Sequence, residues 1–178
     1  MKAFFFLNHI YLSETQYGVQ AAHVLGRLNS KYLIEPHLFS PGDEICFTAT
    51  KQAIMLSEWQ VNHETIVFLE GGYQKHLQEL LAFLDQGEHA YPYAYFCESE
   101  EALNGAMTCV GIIVDARLLA GREAMRSVMR LPRNDFYRQT FERTGTLEVV
   151  LNGTDLQQET YTPFEVELMQ RLDKAKTA

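Results

Sequence analysis

The sequence has few cysteines and no long apolar segment. Its three cysteines, Cys46, Cys97 and Cys109, have neither CxxC nor zinc-ligand spacing, which predicts reduced core thiols in a cytoplasmic protein. No apolar run reaches the roughly 18 to 20 residues of a membrane-spanning helix. The N-terminal MKAFFFLNHIYL is short and has no small-residue cleavage site, so it predicts a strand rather than a signal peptide. We therefore expect no membrane partner.

Basic residues are also in the minority, and they are unevenly distributed. Lys and Arg number 15 against 23 Asp and Glu, for a net charge of −8, which argues against nucleic-acid binding by the whole surface. Residues 64–101 contain a single basic residue and eight acidic ones, whereas residues 117–143 contain seven arginines and three acidic residues. The sequence thus predicts one acidic and one basic segment.

Hydrophobic residues make up 47% of the chain, which is typical of a globular protein. The first helix is the most clearly marked element. Ser13–Gln16 matches a capping box, and apolar residues then recur at helical spacing, which predicts a helix over residues 14–30. Further helices are predicted over 51–60 and 74–85, and strands over 2–8, 64–69, 91–97 and 107–114. Ile45–Thr48 is a weaker strand candidate.

This order predicts an α/β fold in which a four-stranded mixed sheet is flanked by helices as a three-layer sandwich. After it come predicted helices over 122–131 and 135–142, a strand over 147–151 and a helix over 164–174. No linker separates the two parts. We therefore predict a single domain, residues 1–178, with a core of residues 1–115 and a C-terminal extension of residues 116–178 packed on it.

Three motifs, in the same order, resemble the type-2 peptidyl-tRNA hydrolase family. They are the helical Gln20-Ala-Ala-His23, the tryptophan-then-strand element that begins at Trp59, and the threonine-led strand Thr108–Ile112. The resemblance covers about residues 1–115 and implies this family's fold and an esterase-type hydrolase acting on an aminoacyl or peptidyl ester of tRNA. The family's lysine-containing stretch before the first helix is Ser13–Gly18 here, so its catalytic lysine is not matched.

The first helix has a polar stripe away from its core face. Gln16, Gln20, His23 and Arg27 lie within about 60° of one another at helical spacing. Such a stripe forms a polar wall where open α/β sheets bind ligands. His23 is a candidate general base, because histidine titrates near neutral pH, and Gln20 and Arg27 are candidate substrate-binding residues. The alternative is a solvated helix face with a hydrogen-bonded histidine.

Glu98, Asn104 and Thr108 follow the third main strand and open the fourth. A carboxylate and a hydroxyl at this place would orient a water for ester hydrolysis, with Asn104 polarising the carbonyl. We therefore predict His23, Glu98 and Thr108 as catalytic residues and Asn104 as a substrate-binding residue. The alternative is that Glu98–Glu101 forms an acidic helix N-terminus and that Leu103–Gly105 is the turn into the strand.

Arg122, Arg126 and Arg130 are spaced four residues apart, so a helix would present them on one face. Such a face in the 117–143 segment is a candidate site for tRNA or another anionic ligand. The alternative is a solvated face, or one that pairs with acidic surface of the same or a neighbouring chain.

The sequence has no phosphate-binding loop, dinucleotide motif, nucleophile elbow or metal-ligand cluster, so we expect neither a metal nor a cofactor. Two functions follow from these patterns. The first is a divergent peptidyl-tRNA hydrolase-like enzyme with Gln20, Asn104 and Thr108 orienting the reactants. The alternative is a non-catalytic binding or assembly module that keeps this fold and forms a homo-oligomer through its charged segments.

Overall fold

The structure, a computed structural model, describes residues 1–10, 13–32, 36–37, 46–47, 49–150 and 156–178. Its contacts divide the chain into two compact units, residues 1–114 with 177–178, and residues 115–176. This division falls one residue before the predicted end of the core at residue 115, and the packing of the C-terminal extension on the core as a single domain stays a prediction. None of the described helices is long and apolar enough to cross a membrane.

The first unit is an α/β structure. Its elements are β1 (Lys2–Asn8), α1 (Glu14–Lys31), β2 (Pro36–His37), β3 (Cys46–Phe47), α2 (Lys51–Asn62), β4 (Ile66–Gly72), α3 (Gln74–Leu84), β5 (Tyr93–Cys97), α4 (Glu100–Leu103) and β6 (Met107–Val114).

Four of these strands form one mixed sheet in the order β4-β1-β6-β5. Strands β1 and β4 are parallel, and β6 is antiparallel to both β1 and β5. β1 and β6 are the inner strands, and almost every residue of both is buried, because helices cover both faces. Strands β2 and β3 form a separate two-stranded sheet. The predicted α/β fold with a four-stranded mixed sheet is confirmed.

Helices α1 and α2 pack on one face of the sheet and α3 packs against β1, β4 and β6. Phe5 in β1 and Val24 and Leu28 in α1 belong to one buried cluster, together with Leu56 and Trp59 of α2. Gly111 in β6 lets α1 approach closely, since a Cβ there would lie 2.7 Å from Val24 Cγ1 and 2.8 Å from Phe5 Cε1. This packing is consistent with the predicted three-layer sandwich.

Helix α1 forms where the sequence predicts it. Ser13 Oγ accepts a hydrogen bond from the Gln16 main-chain N–H, and Oγ also lies 3.1 Å from Gln16 Oε1, so the predicted N-cap is confirmed. The sequence also predicts a hydrophobic staple between Leu12 and Tyr17, and Leu12 lies outside the described residues. The stripe that faces the sheet contains Ala21, Val24 and Leu28, all buried.

Strand β4 differs from the predicted range 64–69. It begins two residues later, because Glu64 has a left-handed backbone conformation with φ 44°, and it continues beside β1 to Gly72, with a register shift after Glu70 that pairs Asn8 with Gly72. Gly71, predicted to lie beyond the strand, is part of it. A Cβ at residue 71 would lie 2.8 Å from the Leu7 carbonyl oxygen, so glycine allows the two strands to stay close.

The described residues of the second unit form three helices and an antiparallel pair of strands, namely α5 (Ala116–Met129), α6 (Phe136–Thr144), β7 (Thr146–Val150), β8 (Leu156–Thr160) and α7 (Pro163–Lys174). The predicted start of α5 at residue 122 is wrong, because Asp115 caps the helix six residues earlier by accepting the Leu118 N–H at 2.7 Å. The predicted strand over 147–151 corresponds to β7, and Leu151 lies outside the described residues.

Arg117 of α5 contacts β8 and α7 within the second unit. Its guanidinium donates to Glu159 Oε2 at 2.9 Å, to Glu165 Oε1 at 2.6 Å and to the Thr160 carbonyl at 2.8 Å. It also lies over the Tyr161 ring, 4.4 Å from the centroid. Because these partners belong to β8, to α7 and to the connection between them, one side chain of α5 ties strand β8 and the last helix together.

Candidate functional site

Several polar residues lie at one end of the four-stranded sheet, where three of its strands terminate. Strands β1, β4 and β5 run in the same direction, so their carboxyl ends lie at one edge, where antiparallel β6 begins. Helix α1 starts shortly after β1 and therefore begins at the same edge. Open α/β sheets place ligands outside the carboxyl ends of their strands. We call this region the carboxyl edge.

Gln20 connects three elements at the carboxyl edge. Its Nε2 donates to Glu98 Oε1 at 2.9 Å, and its Oε1 accepts from Thr108 Oγ1 at 2.6 Å. Glu98 directly follows β5 and Thr108 lies in β6, so the amide joins α1 to both strands. Gln20 is 3% exposed and Thr108 is fully buried. We call Gln20, Glu98 and Thr108 the amide bridge.

The amide bridge fixes the orientation of a carboxylate. The Thr108 hydroxyl directs the Gln20 carbonyl oxygen toward itself, so the amide NH₂ group points at Glu98. The main-chain N–H of Glu98 donates to the Ala106 carbonyl at 3.0 Å, which holds its backbone as well. A carboxylate held in this way can accept a proton from a correctly placed water. The structure thus brings together three of the residues predicted to form the site.

His23 lies one turn after Gln20 on α1 and stacks on Phe96. The two ring centroids are 4.2 Å apart and the rings are inclined by 8°. Phe96 is two residues before Glu98, so His23 lies beside the amide bridge. The contact described for His23 is this stack of rings, which makes it part of the wall of the site. Flat aromatic surfaces of this kind accept nucleic-acid bases.

Arg27 lines a groove between α1 and β5. The groove has a volume of about 570 Å³, and the described residues that line it are Arg27, Ser30, Lys31, Ala94, Tyr95 and Cys97. Cys97 immediately precedes Glu98, so the groove begins next to the amide bridge. Gln20, His23 and Arg27 of the predicted polar stripe therefore face β5 and the residue after it, and Lys31 lies one turn further along the same side of α1.

The position of Arg27 can be tested through the neighbouring thiol. Burial raises the pKa of Cys97, and the positive charge of Arg27 opposes that rise. In an Arg27→Gln variant we expect the Cys97 pKa to rise further, so that alkylation by iodoacetamide needs a higher pH. The full chain carrying Cys46→Ser is suitable, because the other remaining thiol, Cys109, is fully buried.

A Lys75→Gln variant serves as the control for this titration. Lys75 is an exposed residue of α3 that pairs with Glu79, so we expect its loss to leave the Cys97 profile where it was. An unchanged profile in Arg27→Gln would contradict the described position of the guanidinium.

Asn104 lies at the end of the short helix α4. It has a left-handed conformation, with φ 49° and ψ 43°, and its N–H donates to the Glu100 carbonyl. Ser99 caps the other end of α4 by accepting from the Ala102 N–H at 3.2 Å. The backbone of this segment therefore agrees with the alternative interpretation, an acidic helix start followed by a turn into β6. The contacts described for Asn104 are those of a helix end, and its predicted role toward a carbonyl stays a prediction.

The arginine stripe of the second unit contacts α7. Arg122 donates to the Leu172 carbonyl at 2.6 Å, and Arg126 donates to the Asp173 carboxylate and lies 3.4 Å from Glu123. Arg130 follows the last residue of α5 and is exposed. Two of the three predicted anion-binding arginines thus pair with residues of the same chain, as the alternative interpretation describes.

Two residues of the carboxyl edge and groove were not predicted as site residues. Asn8 is buried, and its Nδ2 donates to the Met107 carbonyl at 2.8 Å, which fixes the main chain just before Thr108. Lys31 continues the stripe of Gln20, His23 and Arg27 by one further turn, and this spacing was the signal that could have identified it. A polar residue at the end of an apolar strand was the corresponding signal for Asn8.

Within the described residues, no group of three or more His, Cys, Asp or Glu side chains could hold a metal ion. What the site presents is an oriented carboxylate, a histidine–phenylalanine stack and a groove with two cations. Comparison of the chain with protein-family models and with curated proteins found no match.

Proposed function

We propose that the chain binds an aminoacyl or peptidyl ester of tRNA at the carboxyl edge and hydrolyses it. The amide bridge carries this proposal, because it holds the Glu98 carboxylate next to Cys97 and the groove that contains Arg27 and Lys31. The resemblance of Gln20-Ala-Ala-His23 and Thr108–Ile112 to type-2 peptidyl-tRNA hydrolases adds support, since two of the three bridge residues belong to these motifs.

In the proposed reaction Glu98 takes a proton from a water molecule while the water oxygen attacks the ester carbonyl carbon. The resulting tetrahedral intermediate collapses with cleavage of the bond between the carbonyl carbon and the ribose oxygen. The proton held by Glu98 passes to that ribose oxygen, which leaves a free hydroxyl on the tRNA and a free carboxylic acid on the amino acid or peptide. Gln20 and Thr108 hold Glu98 in place throughout.

The remaining residues of the site would bind the nucleic acid. The stack of His23 on Phe96 offers a flat surface to a terminal base. Arg27 supplies positive charge to a neighbouring phosphate, and it does so from the groove that begins at Cys97. This assignment gives Arg27 the phosphate contact that the Ser13–Gly18 stretch, which has no basic residue, does not provide.

The test is release of tRNA from an N-blocked aminoacyl-tRNA by the full chain at micromolar concentration. We expect release above the uncatalysed rate and proportional to protein concentration. The same tRNA carrying its acyl group through an amide linkage should be released far more slowly, because an amide is a poorer substrate for water attack. Release of the ester substrate at the uncatalysed rate would show that the catalytic proposal is wrong.

A non-catalytic binding or assembly module is the second candidate. The observation that favours it is that the three side chains of the amide bridge pair with one another, which also holds α1 against β5 and β6. Binding of the ester substrate without turnover, measured by filter retention or fluorescence anisotropy, would support this candidate over the enzyme.

A further inference from the structure

Strand β5 forms one border of the four-stranded sheet. It pairs with β6 along one side, and in the order β4-β1-β6-β5 no described strand lies along the other. An open strand edge presents main-chain N–H and C=O groups that can pair with another strand. Tyr95 and Cys97 of this strand line the groove together with Arg27 and Lys31.

The hydrogen bonds to β6 show which residues of β5 face outward. The Ile113 N–H donates to the Pro92 carbonyl at 3.0 Å, and the Glu98 N–H donates to the Ala106 carbonyl at 3.0 Å. Main-chain groups alternate in direction along an antiparallel strand. The N–H and C=O groups of Tyr93, Tyr95 and Cys97 therefore point away from β6.

Side chains of α1 and its end already occupy the first of these positions. The Tyr93 N–H donates to the Tyr32 hydroxyl at 3.3 Å, and the Tyr93 carbonyl accepts from Lys31 Nζ at 3.2 Å and from the Tyr32 hydroxyl at 3.3 Å. Covering part of an edge in this way restricts which strand can pair with it. Tyr95 and Cys97 are the two outward positions that remain for pairing. Tyr95 is 46% exposed.

We propose that the occupant of this edge is β5 of a second copy of the chain, paired antiparallel with Tyr95 opposite Cys97 of the second copy. By symmetry Cys97 then lies opposite Tyr95 of the second copy. The outward main-chain groups of both residues are therefore paired in each copy. The capped Tyr93 needs no rearrangement in this register. The two sheets join into one of eight strands around a two-fold axis, and each copy loses the open edge of β5.

The charges along the edge match this partner. In the proposed register Tyr93 lies opposite Ser99 of the second copy, next to the acidic first turn of α4, Glu100 and Glu101. Lys31 Nζ sits at the Tyr93 carbonyl, so each lysine faces the acidic turn of the other copy. Opposite charges that meet in this way favour one register over its neighbours, and they offset the repulsion between two chains of net charge −8.

The first test is sedimentation velocity of the full chain from 1 to 100 μM, where we expect a concentration-dependent dimer. Tyr95→Pro should weaken dimerisation at least tenfold, because proline removes the outward N–H. Since that N–H does not pair with β6, the monomer should keep its fold, which circular dichroism and the thermal midpoint would verify. A chain that is monomeric over the whole range would overturn the proposal.

The second test reverses charges and does not depend on how the proline variant folds. Lys31→Glu should also weaken dimerisation at least tenfold, and adding Glu100→Lys and Glu101→Lys to the same chain should restore it. Lys75→Glu, a reversal on the exposed face of α3, is the matched control and should change little. A dimer that is unaffected by Lys31→Glu would overturn the proposal.

The third test examines the register. Tyr95→Cys places a thiol opposite the native Cys97 of the second copy, at the Cα separation of about 5.5 Å that suits a disulfide. Mild oxidation should give a species of twice the mass that reducing agent reverses, and Tyr95→Cys with Cys97→Ser should form much less of it. Absence of the linked species in Tyr95→Cys would overturn the register.

Discussion

Glu98→Gln is expected to lower kcat/KM for ester hydrolysis by roughly 10²- to 10⁴-fold, the range that a lost general base produces. The amide keeps the shape of the carboxylate and can still accept from Gln20 Nε2, so the amide bridge should persist. What it loses is the ability to take a proton from water. The variant therefore separates proton transfer from the structural function of the bridge.

Single-turnover release of tRNA, measured with substrate binding in the same preparation, would check this prediction. We expect the dissociation constant of the substrate to change little while the chemical step slows. Glu79→Gln, the same exchange on the exposed face of α3, is the control and should retain the wild-type rate. A Glu98→Gln chain with wild-type turnover would show that another group acts as the base.

Phe5→Ala is expected to reduce the free energy of unfolding of the first unit by about 3 to 5 kcal/mol. Phe5 is fully buried in the inner strand β1, and its ring contacts the position of Gly111 as well as lying 6.4 Å from the Phe68 ring. Truncation leaves a cavity between β1, β6 and α1 that close-packed neighbours fill only in part. The loss is a large fraction of the stability of an ordinary domain.

Urea denaturation followed by Trp59 fluorescence would measure this loss, because Trp59 belongs to the same buried cluster and is the only tryptophan of the chain. Val61→Ala on α2 is the control, since Val61 is 76% exposed and should cost less than about 0.5 kcal/mol. If Phe5→Ala does not fold, Phe5→Leu should show a smaller loss in the same direction. A loss below about 1 kcal/mol for Phe5→Ala would contradict the packing described here.

The hydrophobic pattern was enough to identify most elements of the first unit. Apolar runs bounded by polar residues gave β1 and β6 within a residue of their observed ends, because an inner strand buried on both faces consists almost wholly of apolar side chains. The capping box at Ser13 gave the start of α1. These signals are local, so each is complete within a few residues of sequence.

Other elements depend on partners that the local sequence does not show. Strand β8 was not predicted, because Leu156–Thr160 is mostly polar and becomes a strand by pairing with β7. Strand β4 extends through Gly71 because β1 lies beside it. Helix α5 begins at Ala116, and its cap Asp115 follows the last residue of β6 directly, with no turn residues between strand and helix.

In the candidate site, too, some features follow from local sequence and others depend on residues far away in the chain. Helical spacing placed Gln20, His23 and Arg27 on one stripe, and the ends of β5 and β6 placed Glu98 and Thr108 near each other. The hydrogen bonds that join Gln20 to Glu98 and to Thr108 span 78 and 88 residues of sequence. They follow from the strand order β4-β1-β6-β5, which puts α1 beside the edge strand β5.

For the arginine stripe, sequence left two interpretations and packing distinguished them for two residues. The four-residue spacing placed Arg122 and Arg126 on one face of α5, but whether that face met solvent or protein depended on α7, some fifty residues later. The sequence by itself thus determined which residues share a face of each element. The tertiary structure decided what each face meets, because those contacts join residues far apart in the chain, and periodicity carries no information about them.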